Sequence, residues 1–140
     1  MMARSDPYDE HFEGTWRIVA TELWSLESLD LLGPAYIAFV ADRLGTMRFI
    51  AVDVTIDYRT GSWGGDPIAE FTFSGHDDVD PTSGRGWVRL FQGELHGWLF
   101  FRQGDEFWFV ARPANDEEVR GKRQRRGRRS TAGTGKPPAE

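Results

Sequence analysis

The residues best suited to bind a ligand alternate along the last three predicted strands, where aromatic and charged side chains share one face. His96, Trp98 and Phe100 show this pattern, and Arg102 follows two places further on. An apolar surface with a few fixed polar groups is typical of a small-ligand pocket. The alternative is that the charged members face outward and that the interior is solid. The predicted ligand-binding residues are Trp87, Arg89, His96, Trp98, Phe100, Arg102 and Trp108.

An acidic run from His76 to Asp80 contains four potential metal ligands in five positions. Carboxylate oxygens and an imidazole could hold a divalent cation. The run does not match a calcium-binding loop, because Gly84 falls one place late and no glutamate closes the loop. We therefore interpret the run as a solvated acidic turn and predict no metal site.

Acid–base catalysis would need a carboxylate together with a second ionisable group. Glu70, Tyr58 and Arg102 could be combined in this way, but their spacing does not require it. The sequence has no Gly-x-Ser-x-Gly, His-Glu-x-x-His or Walker motif. We therefore predict no catalytic residue and no cofactor, and a small enzyme stays an alternative.

The elements that must position these residues are short strands, because apolar and polar residues alternate with a period of two. In the first strand, Trp16 and Ile18 fall on one face and Arg17 on the other. The run 46–59 is long enough for two strands or for one bent strand. The predicted strands cover residues 15–24, 35–41, 46–59, 68–74, 85–91, 95–102 and 106–112.

Glycine and acidic residues mark the predicted connections. Residues 42–45 are predicted as a hairpin turn with Gly45 at a position of positive φ, and residues 60–66 and 75–84 as a turn and a loop. Leucines spaced three apart predict a short helix over residues 25–32, either a lid on the barrel mouth or a plain connection. Seven or eight short strands with such turns predict an all-β fold, a single antiparallel up-and-down barrel.

The composition divides the chain into a folded part and a tail. All tryptophan, tyrosine and phenylalanine residues lie between Tyr8 and Phe109, and seven of the ten residues in 120–129 are Lys or Arg. A segment without aromatic residues and with repelling like charges cannot bury enough apolar surface to fold. We predict a barrel domain over residues 1–113 and a disordered basic tail over residues 114–140.

Charge and cysteine content limit the partners and the compartment. Residues 1–112 hold 18 acidic and 9 basic side chains, and such a body repels nucleic acid and anionic membranes. A nucleic acid would therefore contact only the basic tail, and we do not expect one. The chain has no cysteine and its first 13 residues have no apolar signal-peptide core. We predict a cytoplasmic monomer or homodimer without a membrane partner.

Gly14 and Trp16 begin the first predicted strand, and Arg112 ends the last one. A Gly-x-Trp at the start of a barrel with an Arg near its end resembles the calycin group, which includes lipocalins and avidin-like proteins. The resemblance implies that Trp16 plugs the closed end of the barrel and that Arg112 packs across its ring. It also implies that a ligand is carried inside. The chain departs from the lipocalins proper, which are longer, secreted and often disulfide-bonded.

A wider pattern resembles a family of short uncharacterised bacterial proteins. The pattern consists of residues 16–18, the run 29–37 and the run 83–87. This second resemblance implies no activity.

The function that these observations favour is non-enzymatic binding of a small, partly apolar ligand inside a calycin-like barrel. Two alternatives remain open. One is a protein-interaction module with a filled barrel, whose outer face or basic tail makes the contact. The other is a small acid–base enzyme built in the barrel mouth.

Overall fold

Eight antiparallel strands form a closed barrel in the computed structural model, which describes residues 8–115 and 117–119. Each strand pairs with its neighbours along the chain, and the last strand pairs back with the first. The predicted all-β up-and-down barrel is confirmed. The strands are β1 (Gly14–Thr21), β2 (Tyr36–Val40), β3 (Leu44–Phe49), β4 (Val52–Trp63), β5 (Asp66–Asp77), β6 (Asp80–Phe91), β7 (Glu94–Phe101) and β8 (Glu106–Ala114).

Alternation along each strand produces the two surfaces of the barrel. In β4, Val52, Val54, Ile56 and Tyr58 are buried while the residues between them are exposed. Successive side chains of a strand point to opposite faces, so the period of two in the sequence separates an apolar inside from a polar outside.

Glycines inside the barrel make room for aromatic rings. Gly84 and Gly86 of β6 lie directly opposite Phe73 and Phe71 of β5. A Cβ on Gly86 would lie 2.8 Å from the Cζ atom of Phe71 and 2.6 Å from the carbonyl oxygen of Trp98. Such contacts are too close for any larger residue, so these glycines allow a narrow barrel to be filled by large rings.

One barrel end is closed by a short 3-10 turn, Asp9–His11, that precedes β1. Phe12 is fully buried behind this turn and packs edge-on against Phe39 at 5.8 Å. The indole Nε1 of Trp16 donates a hydrogen bond to the Phe12 carbonyl at 2.9 Å, and the Trp16 side chain belongs to the core. The N-terminal turn and Trp16 therefore seal this end together.

The opposite end is closed by aromatic side chains and by the connection between β1 and β2. Trp24 contacts Phe107 edge-on at 4.9 Å, and Phe101 contacts Phe49 and Phe73. The connection contains a single helical turn, α1 (Leu26–Leu29), which ends sooner than predicted. It is capped by the Ser25 hydroxyl, which accepts a hydrogen bond from the Ser28 amide.

Three predicted connections differ from the structure. Residues 60–66 and 75–84 are mostly strand, because β4, β5 and β6 form long hairpins whose polar residues face solvent and still pair across the strands. The turn before β3 places Asp42 and Arg43, rather than Gly45, at positive φ. Gly45 is required for another reason, since a Cβ there would lie 2.1 Å from the Ala38 carbonyl oxygen.

Ordered structure is present on both sides of the predicted boundary at residue 113, since β8 ends at Ala114. After β8, residues 117–119 form a helical turn, and Val119 is only 6% exposed. Glu118 accepts a hydrogen bond from Arg112 at 3.1 Å. One aliphatic residue among charged neighbours gives little sequence signal, and the boundary between the barrel domain and the tail stays a prediction. The remainder of the predicted tail, residues 120–140, lies outside the described residues. None of the helices within the described ranges has the length or the apolar run needed to cross a membrane.

Candidate functional site

The predicted ligand-binding residues of β6, β7 and β8 lie on the outside of the barrel. In β7, Leu95 and Leu99 are buried, whereas His96, Trp98 and Phe100 are half-buried on the other face. These residues therefore share one face of the sheet, as predicted. That face is the outside of the barrel and does not line its interior. The physical reason is that the alternate residues are wholly apolar, and burying these instead leaves the charged groups in water.

The barrel interior is filled by side chains. Every strand contributes inward-facing residues with exposed fractions of 7% or less, most of them at 2% or below, while Leu90 and Phe101 are partly buried against this core. A ligand cavity of about 300 Å3 would leave its lining residues accessible to water. The interior of the described barrel therefore offers no such space. In β4 and β5, for example, the buried inward-facing residues include Val54, Ile56, Tyr58, Ala69, Phe71 and Phe73.

Three tryptophans lie side by side on the outer surface. Trp87 of β6 is the direct partner of Trp98 in β7, and Trp98 is the direct partner of Trp108 in β8. Neighbouring strands are about 4.8 Å apart, so the three residues form one row across the sheet. Trp108 is 40% exposed.

Two further rows flank the tryptophans on the same face. One row joins Arg89, His96 and Val110, and the other joins Arg85, Phe100 and Glu106. We call the surface formed by the three rows the tryptophan face. Its residues are Arg85, Trp87, Arg89, His96, Trp98, Phe100, Glu106, Trp108 and Val110.

A cation–π contact, a stacked pair of rings and an ion pair hold side chains of this face in position. The Arg85 guanidinium lies 4.5 Å from the centre of the Phe100 ring, a cation–π contact. Phe100 stacks on Trp98 with ring centres 6.1 Å apart. Arg89 forms an ion pair with Asp66 at 2.7 Å. Arg85 and Glu106 were not among the predicted residues, although Arg85 falls in the same alternation as Trp87 and could have been found by that signal.

Arg102 lies apart from the other predicted residues, at the turn after β7. Its amide donates to the Ser83 carbonyl at 2.8 Å. It borders an open depression of about 640 Å3 that residues 74–76 and 81–83 also line. The structure thus brings six of the seven predicted residues together on the tryptophan face and leaves Arg102 beside the β5–β6 hairpin.

The acidic run forms the tip of that hairpin. Asp78 has a positive φ of 58° at the turn, and His76 and Asp77 pair with Pro81 and Asp80 as parts of the two strands. Among residues 8–115 and 117–119, no three histidine or carboxylate side chains are close enough to hold a metal ion.

The three residues considered for acid–base chemistry do not meet. Tyr58 points inward and donates a hydrogen bond to the Val40 carbonyl at 2.8 Å. Burial raises the pKa of its phenol to about 12, and the carboxylates of Asp9 and Glu13 act in the same direction. Glu70 is exposed on the outer face of β5. Tyr58 and Glu70 are therefore on opposite sides of the sheet.

The predicted stacking of Arg112 on Trp16 is wrong. Arg112 is the cross-strand partner of Arg17, whereas Trp16 is opposite Pro113. Partners in a ladder share a face, so Arg112 lies outside the barrel and Trp16 points inside. The Arg112 side chain is 47% exposed and pairs with Glu118 at 3.1 Å.

No family model, no curated protein and no solved structure matched this chain in comparisons. The calycin resemblance therefore rests on the eight-stranded barrel and on Gly14 and Trp16 at its start.

Proposed function

We propose that this protein is a non-enzymatic protein-binding module, in which the filled barrel is a rigid scaffold and the tryptophan face makes the contact. The observation that carries the proposal is the row Trp87, Trp98 and Trp108, which lies outside the barrel rather than in its core. Tryptophan and arginine dominate the binding energy of protein interfaces.

The composition of the face supports a protein partner. Aromatic rings occupy its centre, and Arg85, Arg89 and Glu106 lie at its edges. Protein interfaces commonly combine an apolar, aromatic core with a polar rim. An exposed apolar patch rimmed by polar groups marks an interaction site.

The closed sheet limits how a partner can bind. Because β8 pairs with β1, the barrel presents no unpaired strand edge. A partner therefore cannot add a strand through backbone hydrogen bonds and has to dock on the side chains of an outer face. The tryptophan face offers three tryptophan side chains for such docking.

The other two functions have less support. A small ligand inside the barrel lacks the space it needs, since the inward side chains are buried against one another. Acid–base chemistry lacks an assembled pair of groups, since Tyr58 and Glu70 lie on opposite sides of the sheet. The cytoplasmic location and the calycin relationship stay predictions.

Site-specific photocrosslinking in the source cells tests the proposal. A benzoylphenylalanine at position 110, on the tryptophan face, is expected to crosslink to a protein. The matched control carries the same group at Thr55, an exposed outer position of β4. Crosslinking at position 110 that is lost with Trp98→Ser, and absent at position 55, supports the proposal. No protein crosslink at position 110 would overturn it.

A further inference from the structure

We infer that the partner of the tryptophan face is a second copy of this chain, docked about a twofold axis that runs along β7. The inference rests on the proposed function, because it uses the same face. It adds the identity of the partner and the direction in which the two faces meet.

Unpaired charges on opposite sides of β7 identify the partner. Arg85 of β6 and Glu106 of β8 flank Phe100 in one row. Both side chains are exposed, and within the described part of the chain neither forms an ion pair. Arg89, by contrast, is already paired with Asp66. The face therefore carries one cation and one anion that a partner could neutralise.

A twofold axis along β7 brings these two charges together. Such an axis exchanges β6 and β8 between the copies, so Arg85 of one copy faces Glu106 of the other, and the pair occurs twice. A twofold interface is self-complementary in this way. Opposite charges at a rim fix the register and orientation of an interface.

The alternative axis, perpendicular to the strands, is unfavourable. It would place Arg85 of one copy against Arg89 of the other, because these residues lie in the two rows on either side of Trp87. Like charges placed against each other across an interface oppose binding. The charge pattern therefore selects the axis along β7.

The same axis also places aromatic residues of the two copies opposite each other. Trp87 of one copy faces Trp108 of the other, and Trp98 lies on the axis opposite its own copy. Two sheet faces pack about 10 Å apart with interdigitated side chains, which buries such rings. In the row of Arg89, His96 and Val110, Arg89 of one copy faces Val110 of the other. Asp66 already neutralises Arg89, so Arg89 can lie against an apolar side chain.

Sedimentation analysis of the full chain tests the inference by charge exchange. The wild-type protein is expected to form a dimer, and Arg85→Glu and Glu106→Arg are each expected to weaken it by about tenfold or more. The double variant Arg85→Glu with Glu106→Arg should restore the wild-type dimer, because the two charges exchange places. The control Arg59→Glu, in an exposed ion pair outside this face, should leave dimerisation unchanged.

Two results would overturn the inference. One is a wild-type chain that stays monomeric up to about 1 mM, the weak end of specific binding. The other is a dimer that neither single charge reversal weakens. A monomeric chain that still crosslinks to a different protein through position 110 would refute the second copy and keep the proposed function. A chain that does neither would refute both.

Discussion

The guanidinium of Arg48 in β3 donates a hydrogen bond at 3.2 Å to the carbonyl of Val119, 71 residues later. Arg48 is 2% exposed, and it also donates to the Pro34 carbonyl at 2.8 Å. One buried side chain on the outside of the barrel thus holds both the β1–β2 connection and the turn after β8. This contact makes residues 117–119 part of the fold.

Truncation should separate the structural turn from the segment that follows it. Removing residues 120–140 is expected to leave the melting temperature unchanged within a few degrees, because that segment contains almost no apolar side chain. Removing residues 114–140 should lower it by more than about 5 °C. That deletion loses the burial of the Val119 side chain and the hydrogen bond from Arg48 to the Val119 carbonyl, together about 3 kcal/mol or more. Calorimetry measures the melting temperatures of the full chain and of the two shortened chains. Equal melting temperatures in all three would show that Val119 contributes nothing to stability.

The ion pair between Arg17 and Asp30 should be important for stability. Its Nη2–Oδ2 distance is 2.5 Å, its side chains are only 12% and 18% exposed, and Asp30 also accepts the Ala35 amide at 2.9 Å. Asp30→Ala leaves the mostly buried Arg17 cation with only the Glu118 carboxylate at 4.0 Å and is expected to cost about 2–4 kcal/mol.

The matched control for Asp30 is Asp57→Ala, which removes an exposed pair with Arg59. An exposed pair contributes at most about 1 kcal/mol, so this variant should differ little from the wild type. Urea titration measures both variants. Similar losses in the two would contradict the distinction between the pairs.

Two tryptophans should respond differently to substitution by alanine. Trp16→Ala removes a ring that is 7% exposed and is expected to cost about 3–5 kcal/mol. Trp108→Ala removes a ring that is 40% exposed and should cost less than about 1 kcal/mol while it weakens binding through the tryptophan face. Urea titration together with sedimentation checks both. A loss below about 1 kcal/mol for Trp16 would mean that it is peripheral to the core.

Alkaline pH should destabilise the barrel through Tyr58. The folded state raises the pKa of this phenol from 10.0 to about 12, so the folded chain retains a proton that the unfolded chain releases. The contribution to stability is complete below the unfolded value and is lost as pH rises through the folded value.

The free energy of unfolding should therefore fall between pH about 10 and about 12, and the fall should be smaller in Tyr58→Phe. Urea titrations across this range provide the measurement, and absorbance of the phenolate follows the ionisation. An identical decline in the two proteins would assign the effect to other groups.

The strands and their closure could be predicted from the sequence, because alternation is a local property of the chain. Which face points inward could not, since both faces of β7 carry aromatic residues: Trp98 and Phe100 on one, Phe101 on the other. The choice depends on the strands on either side.

Glycine also carried an ambiguous signal. The sequence predicts a loop from Gly75 to Gly84, yet both glycines lie within paired strands, where a Cβ would collide with the neighbouring strand. Composition cannot distinguish a glycine that turns the chain from one that lets a ring approach the opposite strand. Only the pairing of β5 with β6 shows the second role, so the sequence alone does not predict the long hairpin.

The order of the strands has a consequence for how the chain folds. Every pairing except β1 with β8 joins consecutive strands, so hairpins can form one after another from nearby segments. The seam between β1 and β8 requires the ends of the domain to meet and therefore forms late, because closing a long loop costs the most entropy. The same seam contains a register shift between Ile18 and Ala20. If the barrel opens locally, it should open there, and it would then expose two strand edges to aggregation.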